Sequence, residues 1–169
     1  MVCYISFSID GRDLLIHEDN PDDVKMWKTH SGRGKLKKPR WNQIKIQTDT
    51  KGYKYIHINS KNYLLHRLNY FAHNQSWNIH DFSKNNEIDH EDINKANNNI
   101  ENLRVVTSQE NQFNIKCKGY YWNKSRQKWH ARIMVNYKQK HLGYFDLKED
   151  AKNARLEAKK IYHTIQLRK

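Results

Sequence analysis

The chain has few cysteines and no long run of apolar residues. Its 169 residues include only two cysteines, Cys3 and Cys117, too few for a cysteine-based zinc site, which needs three or four ligands. No window approaches the roughly 18 apolar residues of a membrane span, and the N-terminal MVCYISFSIDGRD does not resemble a signal peptide. We therefore expect two free thiols, no structural zinc, no membrane association and a cytoplasmic location.

Apolar residues are also scarce. Hydrophobic residues make up 37% of the chain and charged residues 29%, a balance that by itself is compatible with disorder. The aromatic content of 12% favours folding instead, because each aromatic side chain buries a large apolar area. The length suits one mid-sized domain or two small ones.

Positive charge is in excess and unevenly distributed. Lys and Arg number 31 against 18 Asp and Glu, a formal net charge of +13, which favours a polyanionic partner such as nucleic acid. Residues 1–51 carry a net +3, residues 52–111 a net −1 and residues 112–169 a net +11. The segment from Lys25 to Arg40 has seven bases and no acid, and its Gly and Pro residues predict a flexible basic arm or, alternatively, a solvated linker. The arm's candidate DNA contacts are Arg33, Lys35, Lys37, Lys38 and Arg40.

Alternating patterns predict several half-buried strands before residue 60. The predicted strands cover residues 2–9, 41–47 and 53–58, and residues 62–72 are predicted to change from a strand into a short helix. On that helix Leu65, Leu68 and Phe71 or Ala72 share one face.

The stretch EIDHEDINKANNNIENLRVVTSQENQFN predicts a strand, a loop, a second strand and a helix. The first strand ends at Asp89 and His90, and the second covers residues 103–106. The TSQE segment is a capping box in which Thr107 is the N-cap and Glu110 the third helical residue. This start places Asn111 in the first helical turn, facing the hairpin.

The same stretch contains the groups that phosphodiester hydrolysis requires. Asn102 and Asn111 follow His90 by twelve and twenty-one residues. An imidazole can accept a proton from water near neutral pH, and a carboxylate with an amide oxygen suits a hard divalent cation. Spacing alone leaves the alternative that Asp89 and His90 are a loop pair and that Asn111 is an ordinary helix-surface residue.

IDHEDINKANNNIENLRVVTSQEN resembles the HNH endonuclease motif of phage and intron-encoded homing endonucleases, and YLLHRLNYFAHN resembles the segment that precedes it. The resemblance covers residues 53–114 and implies two strands and a helix around one metal ion, the ββα-metal arrangement. It implies that His90 is the general base, that Asp89 and Asn111 bind one Mg²⁺ or Mn²⁺, and that Asn102 orders the loop that orients His90. Asn98 matches the loop asparagine of the family, which implies a backbone role.

Two features qualify the match. The last motif position is often His in the family and is Asn111 here, so the metal preference is left open. His66 and Arg67 match a His-Arg pair of the family. For Arg67 the alternatives are a phosphate or leaving-group contact and a helix-surface position, whereas His66 is expected to be a packing residue.

The C-terminal segment predicts three strands, YYWNKS, KWHARIMVN and KQKHLGYF, followed by a helix from Leu147 to about His163. Asp146 and Glu149 predict a second capping box, and Ala151, Ala154, Ala158 and Ile161 a stripe against the sheet. The segment resembles the Apetala-two DNA-binding domain over about residues 118–162, which implies a sheet that enters the major groove. Strand parity places Trp129, Ala131 and Ile133 toward the helix. The candidate DNA contacts are Tyr121, Arg126, His130, Arg132, Met134, Gln139 and His141.

The sequence thus predicts an α+β protein with two domains. Residues 1–114 would contain the N-terminal strands, the basic arm and a ββα-metal HNH nuclease domain with its motif core at 84–114. Residues 118–169 would form a small three-stranded antiparallel sheet packed on one helix, with the join near residues 115–118. The predicted function is a site-specific endonuclease that acts on double-stranded DNA as a monomer. The alternatives are a DNA-binding regulator with an inactive nuclease centre and a restriction-type HNH nuclease.

Overall fold

The computed structural model describes residues 3–31, 34–115 and 117–165. Its strands are β1 Tyr4–Ile9, β2 Arg12–His17, β3 Val24–Ser31, β4 Gly34–Gln43, β5 Gln47–Thr48, β6 Lys54–Ile58, β7 Lys61–Leu64, β8 Glu87–His90, β9 Leu103–Val106, β10 Tyr120–Asn123, β11 Lys128–Val135 and β12 Lys138–Phe145. Its α-helices are α1 Leu65–His73, α2 Ser108–Phe113 and α3 Lys148–Tyr162, and a short 3₁₀ helix covers Ile100–Asn102.

The strands form four sheets, ordered β1-β2-β3-β4, β5-β6-β7, β8-β9 and β10-β11-β12. The pairings described in detail are all antiparallel, which agrees with the predicted α+β class. No helix within the described ranges is long and apolar enough to cross a membrane.

The chain divides into two compact units whose boundary runs through strands β8 and β9. The first unit is Met1–Phe82 with His90–Arg104, and the second is Ser83–Asp89 with Val105–Lys169. The predicted join near residues 115–118 and the predicted domain limits stay predictions.

Alternating side chains of the first two strands build the core of the first unit. Phe7 and Ile9 of β1 and Leu14 and Ile16 of β2 are buried, whereas Leu15 between them is only partly buried. This alternation is the period expected of a sheet with one covered face. The same cluster contains Val24, Ile56, Ile58, Tyr63, Leu65, Leu68, Ala72 and Ile79.

The basic segment differs from the prediction of a flexible arm. From Gly34 onward it is strand β4, which pairs with β3, and neither β2 nor β3 was predicted. In a flexible arm the backbone N–H and C=O groups would bond to water, whereas here they bond to β3. Pro39 is tolerated because β4 is an edge strand. The strand predicted over 41–47 was wrong in its middle, because β4 ends at Gln43, and the Ile44 N–H then donates to the Val24 carbonyl at 2.8 Å.

The C-terminal sheet packs one face on α3. Ala131 and Ile133 of β11 are buried, as are Ala151 and Ala158 of the helix, because small helical side chains allow close approach to the strands. The prediction for Ile161 was wrong, since this residue is 67% exposed in the last turn of the helix.

The two predicted capping boxes have different outcomes. At α2 the box is confirmed: the Glu110 N–H donates to Thr107 Oγ1 at 3.1 Å, and the Thr107 N–H donates to Glu110 Oε2 at 2.7 Å. At α3 the box is absent, because Leu147 is the N-cap residue and the Asp146 carboxylate instead pairs with Lys128 at 3.1 Å.

Helix α1 carries a buried imidazole beside its apolar face. Leu65, Leu68 and Ala72 are buried as predicted, and His66 is buried with them. Burial, followed by the charges of His90 and Arg67, lowers the pKa of His66 from 6.5 to about 3. His66 is therefore neutral in the folded protein at physiological pH.

Because the folded state binds this proton only near pH 3 while the unfolded state binds it near pH 6.5, we expect stability to fall as the pH is lowered through that window. The His66 contribution to the slope approaches about 1.4 kcal/mol per pH unit. Urea unfolding of the wild type and of His66→Gln at several pH values measures it. His57→Gln, which changes an exposed histidine of β6, is the control. Equal slopes for wild type and His66→Gln would contradict this account.

Candidate active site

His90 is held by a side chain from the loop that follows it. It lies at the end of β8, is 5% exposed, and its Nε2 is 3.0 Å from Asn98 Oδ1. When Nε2–H donates to this oxygen, the neutral imidazole keeps its lone pair on Nδ1. Asn98 is itself 1% exposed, and its carbonyl accepts a hydrogen bond from Asn69 Nδ2 of α1 at 2.7 Å. The ring direction of His90 is therefore set by buried groups.

Two aromatic rings of the first unit surround the same imidazole. The His66 ring lies 5.0 Å from the His90 ring in an edge-on arrangement, and the Tyr53 ring lies 6.1 Å away. Because the lowered pKa of His66 keeps it uncharged, it adds no positive charge beside His90.

Asn102 ties together the loop that presents Asn98. Its Nδ2 donates to Asp92 Oδ1 at 3.0 Å and to the Asn97 carbonyl at 2.8 Å, and its Oδ1 accepts from the Asp92 N–H at 3.0 Å. Hydrogen bonds from the Asn97 side chain and the Asn94 backbone N–H lower the pKa of Asp92. This network agrees with the structural role predicted for Asn102, although its effect on the reaction stays a prediction.

Asp89 has partners different from those of its neighbour His90. Adjacent residues on a strand point to opposite faces. Asp89 is 5% exposed, and both of its carboxylate oxygens accept from Asn114 Nδ2, at 3.1 and 3.2 Å. Asn114 is the C-cap residue of α2, so this helix holds the carboxylate.

Glu87 precedes Asp89 by two residues and lies on the same face of β8. Its Oε2 accepts from Asn111 Nδ2 at 2.7 Å, and its Oε1 accepts from the Ser108 hydroxyl. Asn111 therefore faces β8, as the sequence predicts. Because Asn111 Nδ2 donates a hydrogen bond to Glu87, the side-chain oxygen of Asn111 is the atom that could bind a cation.

The donor atoms of this region are hard oxygens. Asp89 and Glu87 contribute carboxylates and Asn111 an amide, a set that suits Mg²⁺ or Mn²⁺ with the remaining positions taken by water and phosphate. Among the described residues no group of three or more His, Cys, Asp or Glu side chains is arranged as a metal site. The chemistry of the three side chains fits a cation held by few protein ligands.

Arg67 is buried within the first unit. Its Nη2 donates to the carbonyls of Ile79 and Asp81 at 2.8 and 2.9 Å, and its guanidinium lies over the rings of Trp77 and Phe82. These contacts attach the loop after α1 to the helix. The helix-surface alternative for Arg67 was wrong, because the side chain is only 8% exposed, and the phosphate contact stays a prediction.

Most of the predicted contact residues of the C-terminal sheet form one network. His130 Nδ1 is 2.6 Å from the Tyr121 hydroxyl, and its Nε2 is 2.6 Å from His141 Nδ1. The Arg132 guanidinium lies 5.0 Å from the Tyr121 ring, and the Gln139 side-chain amide lies beside it, where its oxygen would accept from Arg132 Nε at 3.0 Å once the amide is turned over.

The outer members of this network are aromatic or cationic. Arg126 lies over the Tyr144 ring at 4.6 Å, and Met134 is exposed further along β11. Burial, then the charges of His141, Arg132 and Arg126, lowers the pKa of His130. The face therefore carries cationic and neutral donors around a centre of aromatic rings.

The predicted contacts of the N-terminal basic segment lie in or near β4. The Lys38 and Arg40 side chains are exposed on this strand. Lys35 and Lys37 belong to its backbone, and Arg33 lies outside the described residues.

Sequence reasoning missed three side chains next to the predicted site. Asn98 was given a backbone role, yet its side chain contacts His90. Glu87 and Asn114 were not considered, although Glu87 is two residues from Asp89 on the same strand, which is a signal the sequence contains. The Asn114 contact carries no such signal, since it depends on where the last turn of α2 lies.

Comparisons with known proteins match the segment that contains these side chains. The family model described as HNH endonuclease matches residues 63–113. The "SPbeta prophage-derived putative HNH homing endonuclease YosQ" of Bacillus subtilis (strain 168) is 36% identical over 96 residues, which cover 53% of this chain and 51% of that protein. "Protein 3.8" of Escherichia phage T7 is 34% identical over 70 residues, which cover 37% of this chain and 58% of that protein.

The chain thus spans only about half the length of the curated relatives that it matches. No solved structure matches it. The HNH resemblance is confirmed, whereas the resemblance of the C-terminal segment to the Apetala-two domain stays a prediction. Residues 63–113, which contain Asp89, His90, Asn102 and Asn111, are the segment of this chain that is similar to the HNH endonuclease family.

Proposed function

We propose that this protein is a site-specific DNA endonuclease of the homing type, which hydrolyses phosphodiester bonds with one divalent cation. The observation that carries the proposal is the orientation of His90 by Asn98 inside the segment that matches the HNH family. This contact holds the imidazole in one orientation, as a general base requires.

His90 is the general base in this mechanism. Its Nδ1 accepts a proton from a water molecule as the water oxygen attacks phosphorus. The bond from phosphorus to the leaving sugar oxygen then breaks, and that oxygen acquires a proton from solvent. Asn98 keeps Nε2–H engaged, and neutral His66 packs against the ring, so the lone pair stays on Nδ1.

Asp89 and Asn111 are the proposed cation ligands, and Glu87 is added to them because it is bound to Asn111. A divalent cation in such a site offsets negative charge on the phosphate oxygens. Asn114 and Ser108 orient the two carboxylates through their hydrogen bonds. Two carboxylates and an amide leave room for waters and substrate, as Mg²⁺ requires.

The exposed face of the C-terminal sheet is the proposed surface that recognises the DNA base sequence. Strands are an established means of reading a groove, and Arg132 of this face lies over the Tyr121 ring at 5.0 Å. With one active site per chain, a monomer is expected to nick one strand.

The rival from another class is a DNA-binding regulator with an inactive centre. A plasmid-nicking assay with and without EDTA separates the two. A restriction-type nuclease is a second alternative, and mapping of the cleavage ends on a random-sequence library distinguishes it by the length of the recognised site.

Replacement of His90 by Ala removes the proposed base, so we expect cleavage to fall by at least about 10²-fold while DNA affinity stays close to wild type. Plasmid cleavage and gel-shift titration measure the two quantities. His57→Ala is the matched control because it removes an exposed histidine from β6. Unchanged cutting by His90→Ala in saturating magnesium would contradict the mechanism.

The carboxylate ligands are tested by the magnesium dependence of cleavage. We expect EDTA to stop cleavage, Asp89→Asn to abolish it, and Glu87→Gln to raise the magnesium concentration needed for half-maximal rate. Asp150→Asn on exposed α3 removes the same charge elsewhere and is expected to leave the dependence unchanged. Full activity of Asp89→Asn at low magnesium would exclude Asp89 as a ligand.

The reading face is tested at Arg132. We expect Arg132→Gln to weaken binding to the cognate site by about 1–3 kcal/mol, because a guanidinium contact with a base edge is lost. Lys152→Gln, at a lysine paired with Glu149 on α3, is the control for the lost charge. The proposed role for this face fails if Arg132→Gln and Lys152→Gln bind cognate DNA equally well.

A further inference from the structure

Strands β3 and β4 extend past the end of their pairing with β2. β3 pairs with β2 only from Val24 to Met26, whereas its pairing with β4 continues to Ser31 and Gly34. Residues 27–31 and 34–41, here called the ribbon, are therefore paired only with each other within the described sheet. A register shift between Lys28 and His30 adds twist to the ribbon.

The ribbon places like charges opposite one another. Lys28 of β3 lies directly across from Arg40 of β4, an arrangement that repels unless an anion is bound. Lys38 is exposed on the same strand as Arg40. Within the ranges that the structure describes, none of these three side chains pairs with a carboxylate, and Arg40 Nε donates only to the neutral Asn42 oxygen, at 3.2 Å. This group of exposed cations is therefore available to bind an anionic partner.

The next pair along the ribbon is aromatic. Trp27 lies across from Trp41 with ring centroids 5.3 Å apart, and Trp41 is 37% exposed. Strand alternation places the two indoles on the face opposite to Met26, whose cross-strand neighbour Leu14 is in the core. The ribbon thus offers cations on one face and a tryptophan pair on the other.

We propose that the ribbon enters the major groove of duplex DNA, where Lys28, Lys38 and Arg40 bind phosphates and the Trp27–Trp41 pair contacts the groove wall. The inference rests on the proposed function, because the ribbon would be a second surface that binds the DNA on which the endonuclease acts. A major groove about 12 Å wide admits a two-stranded β-ribbon, whose strands are about 4.8 Å apart. The pairing of β3 with β4 gives the ribbon the two-stranded form that the major groove admits.

The double variant Lys28→Gln/Arg40→Gln tests the phosphate contacts. The slope of log K against log salt for duplex binding is expected to become shallower by about 1.8, because two phosphate contacts are lost. The matched control is Lys152→Gln/Lys160→Gln, which removes two charges paired with glutamates on α3, and its slope is expected to equal that of the wild type. Since the ribbon variant removes a repulsive pair, its thermal midpoint should not fall.

The groove contact itself is tested by protection of guanine N7 from dimethyl sulfate, a major-groove reaction. Wild-type protein should protect guanines over one contiguous stretch that Trp27→Ala/Trp41→Ala leaves reactive, while protection elsewhere on the site persists. Trp77→Ala, which alters a tryptophan that packs on Arg67 outside the ribbon, should retain the full pattern.

The outcomes separate this inference from the proposed function. If wild-type protein neither binds nor cuts duplex DNA, both fall. If it binds and cuts, but the ribbon variant has the slope of its control or the tryptophan variant keeps every protected guanine, only the ribbon inference is overturned. The ribbon inference would also be overturned if the ribbon variants lost binding to single-stranded oligonucleotides but bound duplex DNA as the wild type does.

Discussion

The hydrogen bond between His90 Nε2 and Asn98 Oδ1 is the contact on which the proposed chemistry depends. If Nε2 is the donor in this contact, the neutral imidazole carries its lone pair on Nδ1, and the Asn98 backbone is itself held by a hydrogen bond from Asn69 of α1 to its carbonyl. Asn102 in turn closes the loop through Asp92 and Asn97. The orientation of one ring thus rests on a chain of asparagine contacts, which explains why this loop consists largely of polar residues that nevertheless have defined positions.

The net charge differs between the middle of the chain and the segments on either side of it. Residues 52–111 are nearly neutral and hold the acids and amides of the proposed cation site, while all of the excess positive charge belongs to the segments on either side. In the N-terminal segment the cations stand on a paired ribbon beside two tryptophans, and in the C-terminal segment they surround aromatic rings on a sheet face. A segment that is already paired as strands loses less backbone freedom on binding than a loose arm does.

Local patterns were sufficient where a residue's environment is set by its sequence neighbours. The turn from β7 into α1, the Thr107–Glu110 capping box and the strand limits around Asp89 and His90 follow from periodicity and capping chemistry. Local patterns failed where a distant partner decides. The Gly-containing basic segment became β4 because β3 pairs with it, and Asp146 left its capping position because Lys128 lies beside it. The same reason applies to Arg67, whose partners are carbonyls twelve and fourteen residues away.

By itself the sequence determined the similarity to the HNH family and the segment in which the site is proposed. The HNH segment, the adjacent Asp89 and His90, and the spacing to Asn102 and Asn111 are properties of the chain order. Only the tertiary structure decided that Asn98 contacts His90 through its side chain, that Glu87 joins Asn111, and that His66 is buried and uncharged beside His90. The physical reason is that tautomers, ligand orientation and pKa values depend on burial and on partners in space, which residue spacing does not specify.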